Sequence, residues 1–186
     1  MFQMSFSDWP NLFVVKHFFE SRVCDAIVDE MKTTEASAAA VYGKGASGSI
    51  DVNVRNTLRV IPSSETIDLV TRRLLSCKHA VEEHFSVTLS ECEDPQFLRY
   101  REGDFFVAHQ DGNTGMLRLD TERRRISMVT FLNREYRGGA LVFTKLSARY
   151  QMPAEPGTLV AFRSETTHEV TPVSHGERFS IASWYR

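Results

Sequence analysis

The residues best suited to chemistry are His109 and Asp111, which lie two positions apart at the end of a strand-like run, Asp104–Gln110. Successive side chains of a β-strand point to opposite faces, so the imidazole and the carboxylate share one face. A histidine and an aspartate side by side on one strand supply two ligands for a metal ion. The same pair can equally be a surface histidine beside a solvated aspartate, so the rest of the chain must decide.

His168 is the best candidate for a third ligand, because it opens a strand after the turn 164–167. Two histidines and one aspartate on one side of a metal leave three coordination positions open, which is the arrangement of non-haem Fe(II) oxygenases. The open positions admit O2 and an organic co-substrate. A structural zinc site would instead close its fourth position, usually with cysteine, and none of the three cysteines lies near these residues in sequence.

Arg178 follows His168 by ten residues. If Arg178 lies on the antiparallel neighbour of the strand that His168 begins, the turn 172–176 brings both residues toward one cavity. A guanidinium inside a barrel is costly unless it meets an anion, and it binds a carboxylate through two parallel hydrogen bonds. A dicarboxylate that chelates iron at one end and meets Arg178 at the other satisfies both requirements, which predicts 2-oxoglutarate as the co-substrate. The alternative is a surface arginine at a coincidental spacing.

The chain from Phe97 onward has the pattern of an all-β structure. Gly, Pro, Asn and Asp separate about eight short strand-like runs without a helical pattern between them, which is typical of an antiparallel sandwich or barrel. An eight-stranded jelly roll matches this count. The predicted strands are Arg99–Arg101, Asp104–Gln110, Arg125–Asn133, Ala140–Thr144, Gln151–Met152, Thr158–Arg163, His168–Val173 and Arg178–Tyr185.

The residues before this β-region are predicted to support it with helices. We expect a strand at Leu12–Phe19, an amphipathic helix capped by Ser21 over about 21–32, a strand at Asp51–Val60 and a long helix over about 64–84. The segment 33–50 is rich in Ala, Ser, Thr and Gly, which indicates a mobile connection that is either a substrate lid or a plain loop.

No internal repeat or interdomain linker is visible, so the sequence predicts one domain over 1–186. Within it, 1–96 forms a strand and helix support region and 97–186 forms the jelly-roll catalytic core. The expected fold class is mainly β with N-terminal helices (α+β).

The amino-acid composition of the chain narrows the classes of protein to which it can belong. The chain has 186 residues, of which 42% are hydrophobic and 25% charged, as in an ordinary globular protein. With 22 basic and 24 acidic residues, it shows no electrostatic footprint for nucleic acid or an anionic membrane. The three cysteines have no metal-binding spacing and fit a reducing compartment. The sequence shows neither a signal peptide nor an apolar run long enough to cross a bilayer, so we expect a cytoplasmic protein; it specifies no oligomeric state.

These residues together resemble the Fe(II)/2-oxoglutarate dioxygenases, and most closely the prolyl 4-hydroxylase branch. The similarity covers 97–185 well and the preceding residues only in the order of their elements. The motifs that carry it are Tyr100 before His109-x-Asp111, then Phe131-Leu-Asn133, Gly138-Gly-Ala-Leu-Val-Phe143, His168-Glu-Val-Thr-Pro-Val173, Arg178 and the terminal Trp184-Tyr185. The fold of that family is a double-stranded β-helix, which agrees with the strand count.

The resemblance implies a role for each site residue. It makes His109, Asp111 and His168 the catalytic iron ligands, Arg178 the partner of the distal carboxylate of 2-oxoglutarate, and Tyr100 a hydrogen-bond donor to the same co-substrate. The implied cofactors are Fe(II), 2-oxoglutarate and O2, with ascorbate as an accessory reductant where one is needed.

One departure concerns Phe131. Hypoxia-type relatives have a tyrosine phenol there, so in this chain Ser180 or Thr130 is expected to help Arg178 hold the carboxylate. By alternation, Ser180, Ala182 and Trp184 should share the inward face with Arg178.

The function that follows is hydroxylation of a C–H bond, with a prolyl residue of a protein or peptide as the leading substrate. A free amino acid or a natural-product intermediate is the alternative, because one scaffold accepts different substrates when its loops change. Arg55 and Arg59 either contact the substrate or are solvated.

The non-enzyme alternative is a metal-binding jelly-roll module. A metal-dependent hydrolase fits less well, since Gln110 separates His109 from Asp111 and zinc hydrolysis has no use for Arg178.

Overall fold

A computed structural model describes residues 11–39, 51–112 and 124–186. In these ranges it contains three helices and fourteen strands. The helices are α1 (Ser21–Thr33), α2 (Ser64–Ser76) and α3 (Lys78–Phe85). The strands are β1 (Leu12–Val15), β2 (Ala36–Ala38), β3 (Arg55–Asn56), β4 (Leu58–Val60), β5 (Gln96–Tyr100), β6 (Phe105–His109), β7 (Ile126–Phe131), β8 (Tyr136–Gly138), β9 (Leu141–Lys145), β10 (Ala148–Gln151), β11 (Leu159–Arg163), β12 (His168–Val170), β13 (Val173–Gly176) and β14 (Arg178–Tyr185).

Two antiparallel sheets form the double-stranded β-helix. The larger sheet has seven strands in the order β1-β11-β7-β14-β5-β4-β2, and the smaller has five in the order β10-β9-β12-β6-β3. A two-stranded ribbon of β13 and β8 lies beside them. Strands from the first 96 residues widen both sheets, since β1, β2 and β4 join the larger and β3 joins the smaller. None of the helices in the described ranges has the length and apolar character needed to cross a membrane.

The larger sheet is covered on both faces, and β14 shows how its sequence achieves this. All eight residues of β14 are buried. Phe179, Ile181 and Tyr185 belong to the core that packs against the helices. The alternate residues Arg178, Ser180, Ala182 and Trp184 line a cavity between the two sheets, as alternation predicted. One face of β14 therefore packs in the core and the other lines the cavity.

The helix predicted over 64–84 is in fact two helices that are interrupted at Cys77. The carbonyl of Leu74 accepts hydrogen bonds from the Cys77 backbone N–H, the Cys77 thiol and the Tyr185 hydroxyl. The bond from the Cys77 N–H to Leu74 spans three residues instead of four, so α2 ends and α3 begins at this tighter turn. The start of α1 also differs slightly, because Ser21 is the first helical residue and Glu20 occupies the N-cap without a side-chain hydrogen bond.

Several predicted strands are shorter or divided. The run 51–60 contains a turn and then β3 and β4, which belong to different sheets. Residues 16–19 form a turn after β1, and 168–173 divides into β12 and the start of β13. The prediction overlooked β2 and β8. Most of the predicted 33–50 loop, residues 40–50, lies outside the described residues.

Two glycines with left-handed backbone provide a matched test of crowding in this fold. Gly157 has φ +74°, and a Cβ there would lie 2.1 Å from the carbonyl oxygen of Phe19; Gly103 has φ +85° with no atom within 4 Å. Gly103→Ala should lose about 1 kcal/mol of unfolding free energy for the conformation alone. Gly157→Ala should lose at least about 2 kcal/mol, because the backbone of residues 19 and 157 must also separate. Urea denaturation measures both; equal losses would contradict the packing argument.

Candidate active site

His109, Asp111 and His168 converge on one point between the sheets. His109 ends β6, His168 begins β12, and the two residues are direct cross-strand partners. Asp111 follows β6, where its backbone N–H donates to the carbonyl of Ser164. The Nε2 atoms of His109 and His168 lie 3.4 and 3.5 Å from the two carboxylate oxygens of Asp111. All three ligand atoms lie within 4.8 Å of one another, a spacing that could hold a metal ion.

Each imidazole is held in the tautomer that a metal requires. Nδ1 of His109 lies 2.8 Å from the carbonyl oxygen of Val107, and Nδ1 of His168 lies 2.9 Å from that of Thr166. A carbonyl only accepts, so each Nδ1 carries the proton and donates. The lone pair of each Nε2 is therefore free for a metal, which is the usual way in which a second hydrogen bond orients a histidine ligand.

The ionisation states also suit metal binding. Burial alone raises the pKa of Asp111, but the nearby imidazoles of His168 and His109 outweigh it and hold that pKa well below its ordinary range. Burial and the proximity of His109 lower the pKa of His168 to about 4, although Asp111 acts in the opposite direction. At neutral pH the site therefore presents a carboxylate and a neutral His168 imidazole, the forms that bind metals.

An aromatic contact fixes the plane of the His109 ring. Phe106 stacks on this imidazole with ring centroids 3.5 Å apart and an interplanar angle of 17°. The guanidinium of Arg55 lies over the Phe106 ring at 4.9 Å, and Arg55 pairs with Phe106 across β3 and β6. The short strand β3 thus supports His109 through Phe106. Arg55 lines the cavity, whereas Arg59 is not among the lining residues.

Arg178 lines the same cavity from the larger sheet. It is 1% exposed, its guanidinium lies 4.9 Å from the ring of Tyr100 and 5.7 Å from that of Phe131, and Nη1 donates to Oγ of Ser180 at 2.8 Å. Its Nε has no hydrogen-bond partner, and no carboxylate in the described ranges pairs with it. A buried cation without a counter-ion is unfavourable, so this end of the cavity is built for an anion.

The route from His168 to Arg178 differs from the prediction. The strands are not neighbours, because β12 belongs to the smaller sheet and β14 lies between β5 and β7 in the larger. Residues 171–177 cross from one sheet to the other. His168 and Arg178 therefore face the cavity from opposite walls, and Tyr100 is the cross-strand partner of Arg178.

Ser180 and Thr130 were the two candidates to help Arg178 hold the carboxylate in place of the phenol that is absent at Phe131. Ser180 pairs directly with Phe131 across β14 and β7 and bonds Arg178. Thr130 is not among the residues that line the cavity, and it pairs with Ile181, a member of the core that packs against the helices. Ser180 is thus in place and Thr130 is not.

The cavity has a volume of about 270 Å³ and brings all six predicted site residues together. It also contains residues that sequence reasoning overlooked: Gln96, Phe106, Arg124 and Leu141. Trp184, which was expected to share the inward face with Arg178, lies under the Arg124 guanidinium at 3.7 Å.

The other histidines lie outside the cavity and are exposed, with partners such as Glu83 for His79 and Glu102 for His175.

Part of the chain is similar in sequence to known hydroxylases. The chain is 36% identical over 97 residues to a PKHD-type hydroxylase of Shewanella oneidensis, an alignment that covers 48% of this chain and 41% of that protein. The chain therefore spans well under two thirds of the length of this relative.

Two solved structures share the fold. A Pseudomonas putida prolyl-4-hydroxylase has a TM-score of 0.75 at 23% identity, over 95% of this chain and 93% of that one. A Trichoplax adhaerens prolyl hydroxylase, in complex with a peptide fragment of the hypoxia inducible factor oxygen degradation domain, has a TM-score of 0.74 at 14% identity, over 95% and 83%. The model of the 2OG-Fe(II) oxygenase superfamily matches residues 95–186, the part that carries every predicted ligand. Residues 95–186 of the chain belong to the 2OG-Fe(II) oxygenase superfamily.

Proposed function

We propose that this protein is an Fe(II)- and 2-oxoglutarate-dependent dioxygenase that hydroxylates a C–H bond, with a prolyl residue of a peptide or protein as the substrate. The observation that carries the proposal is the pairing of two features in one cavity. Three metal-ligating side chains converge on one wall, and a buried arginine without a carboxylate partner faces them from the other. A dicarboxylate co-substrate would bind the metal at one end and Arg178 at the other.

In this proposal His109, Asp111 and His168 hold the iron. The donor set fits Fe(II), since two neutral nitrogens and one carboxylate oxygen on one side of the ion leave positions for O2 and a chelating keto acid. Bound iron and 2-oxoglutarate would supply the oxidising chemistry that inserts oxygen into the substrate C–H bond. The protein keeps each ligand in register through the carbonyls of Val107, Thr166 and Ser164.

Arg178 and its neighbours would hold the co-substrate. The guanidinium offers a fork of N–H groups to the distal carboxylate, and the rings of Tyr100 and Phe131 keep it in an apolar environment where such bonds are strong. Tyr100 faces Arg178 across the strand pair and would donate its hydroxyl to the same co-substrate. Ser180 would replace the missing phenol, since its oxygen orients Arg178 and its proton remains to be donated.

The substrate part of the proposal rests on similarity. The two solved structures with the same fold are named as prolyl hydroxylases, and one holds a peptide. A cytoplasmic location and the organisation of 1–186 as one catalytic domain belong to the proposal too. The free thiols of Cys24, Cys77 and Cys92 support a reducing compartment.

The direct test is turnover of 2-oxoglutarate by the purified protein with Fe(II), O2 and ascorbate. Succinate should form slowly without substrate and faster when a pool of proline-containing peptides is added. Mass spectrometry of the pool should find a product heavier by one oxygen atom on a proline. No succinate under any condition would refute the dioxygenase; succinate with an oxygenated free amino acid, and no oxygenated peptide, would refute the prolyl substrate.

A matched pair of variants tests the contribution of Ser180. Ser180→Ala removes the acceptor for Arg178 Nη1 and one donor to the co-substrate, so the KM for 2-oxoglutarate should rise about 5- to 20-fold. Thr130→Val removes a hydroxyl of the same size from the neighbouring strand, on the other face of the sheet, and should leave this KM unchanged. Titration of 2-oxoglutarate against succinate formation measures both. A larger effect of Thr130→Val would assign the helper role to Thr130 instead.

A further inference from the structure

Gln96 is a buried polar side chain that the proposed chemistry leaves unused. It begins β5, is 8% exposed and lines the same cavity as the metal ligands. Its amide makes no side-chain hydrogen bond to any residue in 11–39, 51–112 or 124–186. Its nitrogen and oxygen are not among the atoms in these ranges that are shut off from solvent without a partner, so they open onto the cavity. A polar group at a cavity wall that no protein group satisfies is available to bind a ligand.

The position of Gln96 separates it from the co-substrate end. Along β5, the residues that line the cavity are Gln96, Leu98 and Tyr100. Tyr100 pairs with Arg178 and Gln96 pairs with Ala182 across β14. Tyr100 lies four positions after Gln96 along the strand, which is about 13 Å. A co-substrate that joins Arg178 to the metal occupies the Tyr100 end, so Gln96 faces the space that remains for the primary substrate.

The chemistry around Gln96 favours a neutral group. Its lining neighbours on the larger sheet, Leu98 and Ala182, carry no charge. The guanidinium of Arg124, which lies on Trp184 beyond Ala182, is already bound to Glu93 through two hydrogen bonds of 2.9 and 2.5 Å. A carboxamide offers one acceptor and two donors side by side. Its natural complement is the C=O and N–H of a peptide group, which pair with it without any unbalanced charge.

We propose that Gln96 binds a backbone peptide group of the substrate next to the residue that is hydroxylated. The site is thereby selective for a peptide-bonded residue over the free amino acid, whose ammonium and carboxylate would need charged partners. This inference rests on the proposed dioxygenase function and specifies its substrate class. A site that hydrogen-bonds a substrate rejects analogues that lack the bonding group more strongly than an apolar site does.

The test measures binding near the metal and needs no turnover. The full chain is loaded with Mn(II) and 2-oxoglutarate, and the line broadening that Mn(II) causes in the NMR signals of N-acetyl-L-prolinamide is compared with that of L-proline. The blocked amide should be broadened at lower protein concentration than proline. In Gln96→Met, which has nearly the same shape and no hydrogen-bonding group, the apparent Kd for the amide should rise at least about tenfold. Gln151→Met, on the exposed surface of β10, is the matched control and should bind as the parent does.

Three results would overturn the inference. The parent and Gln96→Met could broaden the amide signals equally, the parent could broaden the proline signals as much as those of the amide or more, or it could leave the amide signals unchanged. Weaker binding of 2-oxoglutarate to Gln96→Met would move Gln96 to the co-substrate and overturn it as well. Failure of the parent protein to bind Mn(II) and 2-oxoglutarate together would instead refute the proposed function, because Gln96 does not take part in that step.

Discussion

Asp111→Ala is expected to abolish turnover of 2-oxoglutarate and to release the metal. Asp111 is the only anionic member of the triad, and its two oxygens lie 3.4 and 3.5 Å from Nε2 of His109 and His168. Its removal leaves two neutral imidazoles, which cannot offset the charge of a divalent ion. Loss of a residue that only orients a ligand weakens metal binding by about 10- to 100-fold, so loss of the charged ligand itself should exceed that range.

Calorimetric titration with Mn(II) measures the affinity, and succinate formation measures the turnover. His109→Ala is expected to behave in the same way with a smaller loss of affinity, because the charge remains. Asp68→Ala, an exposed aspartate on α2, and His79→Ala, an exposed histidine on α3, are the matched controls. Full succinate formation by Asp111→Ala would remove the triad from its role.

The ligands were predictable because their chemistry depends on local features of the sequence. The alternation of a strand places His109 and Asp111 on one face whichever sheet the strand joins. The same rule places Ser180, Ala182 and Trp184 beside Arg178, and the structure confirms it. His168 and the jelly roll followed from the position and number of the predicted strands, and the resemblance in motif then added Tyr100.

The sheet topology was less predictable, because it depends on contacts between residues distant in sequence. The turn after His168 reads as a hairpin, yet residues 171–177 cross to the other sheet and the two predicted neighbours face each other across a cavity. The break between α2 and α3 depends on a hydrogen bond from Tyr185 to Leu74, 111 positions apart. Gln96 could not be identified from sequence either, since a glutamine is usually exposed and only its burial without a partner marks it.

The second large effect is expected for Arg178→Met, which should raise the KM for 2-oxoglutarate by about a hundredfold or more. Hydrogen bonds to charged groups contribute about 1.5–3 kcal/mol each, and a guanidinium makes two to a carboxylate. Met fills a similar volume without the charge, so the apolar rings of Tyr100 and Phe131 can close around it. Burial of Arg178 without a carboxylate partner costs stability in the absence of ligand. Arg178→Met should therefore melt at the same temperature as the parent or higher when no 2-oxoglutarate is present.

Arg178→Lys distinguishes charge from geometry at the same position. A lysine keeps the cation but presents it as a point, without the fork that matches a carboxylate, so its KM should fall between those of the parent and Arg178→Met. Mn(II) affinity should be unchanged in both variants, since Arg178 contacts none of the ligands. Arg137→Met, an exposed arginine on β8, is the control for loss of a positive charge. If the two Arg178 variants kept the parental KM, the buried cation would have some other partner and the co-substrate assignment would be wrong.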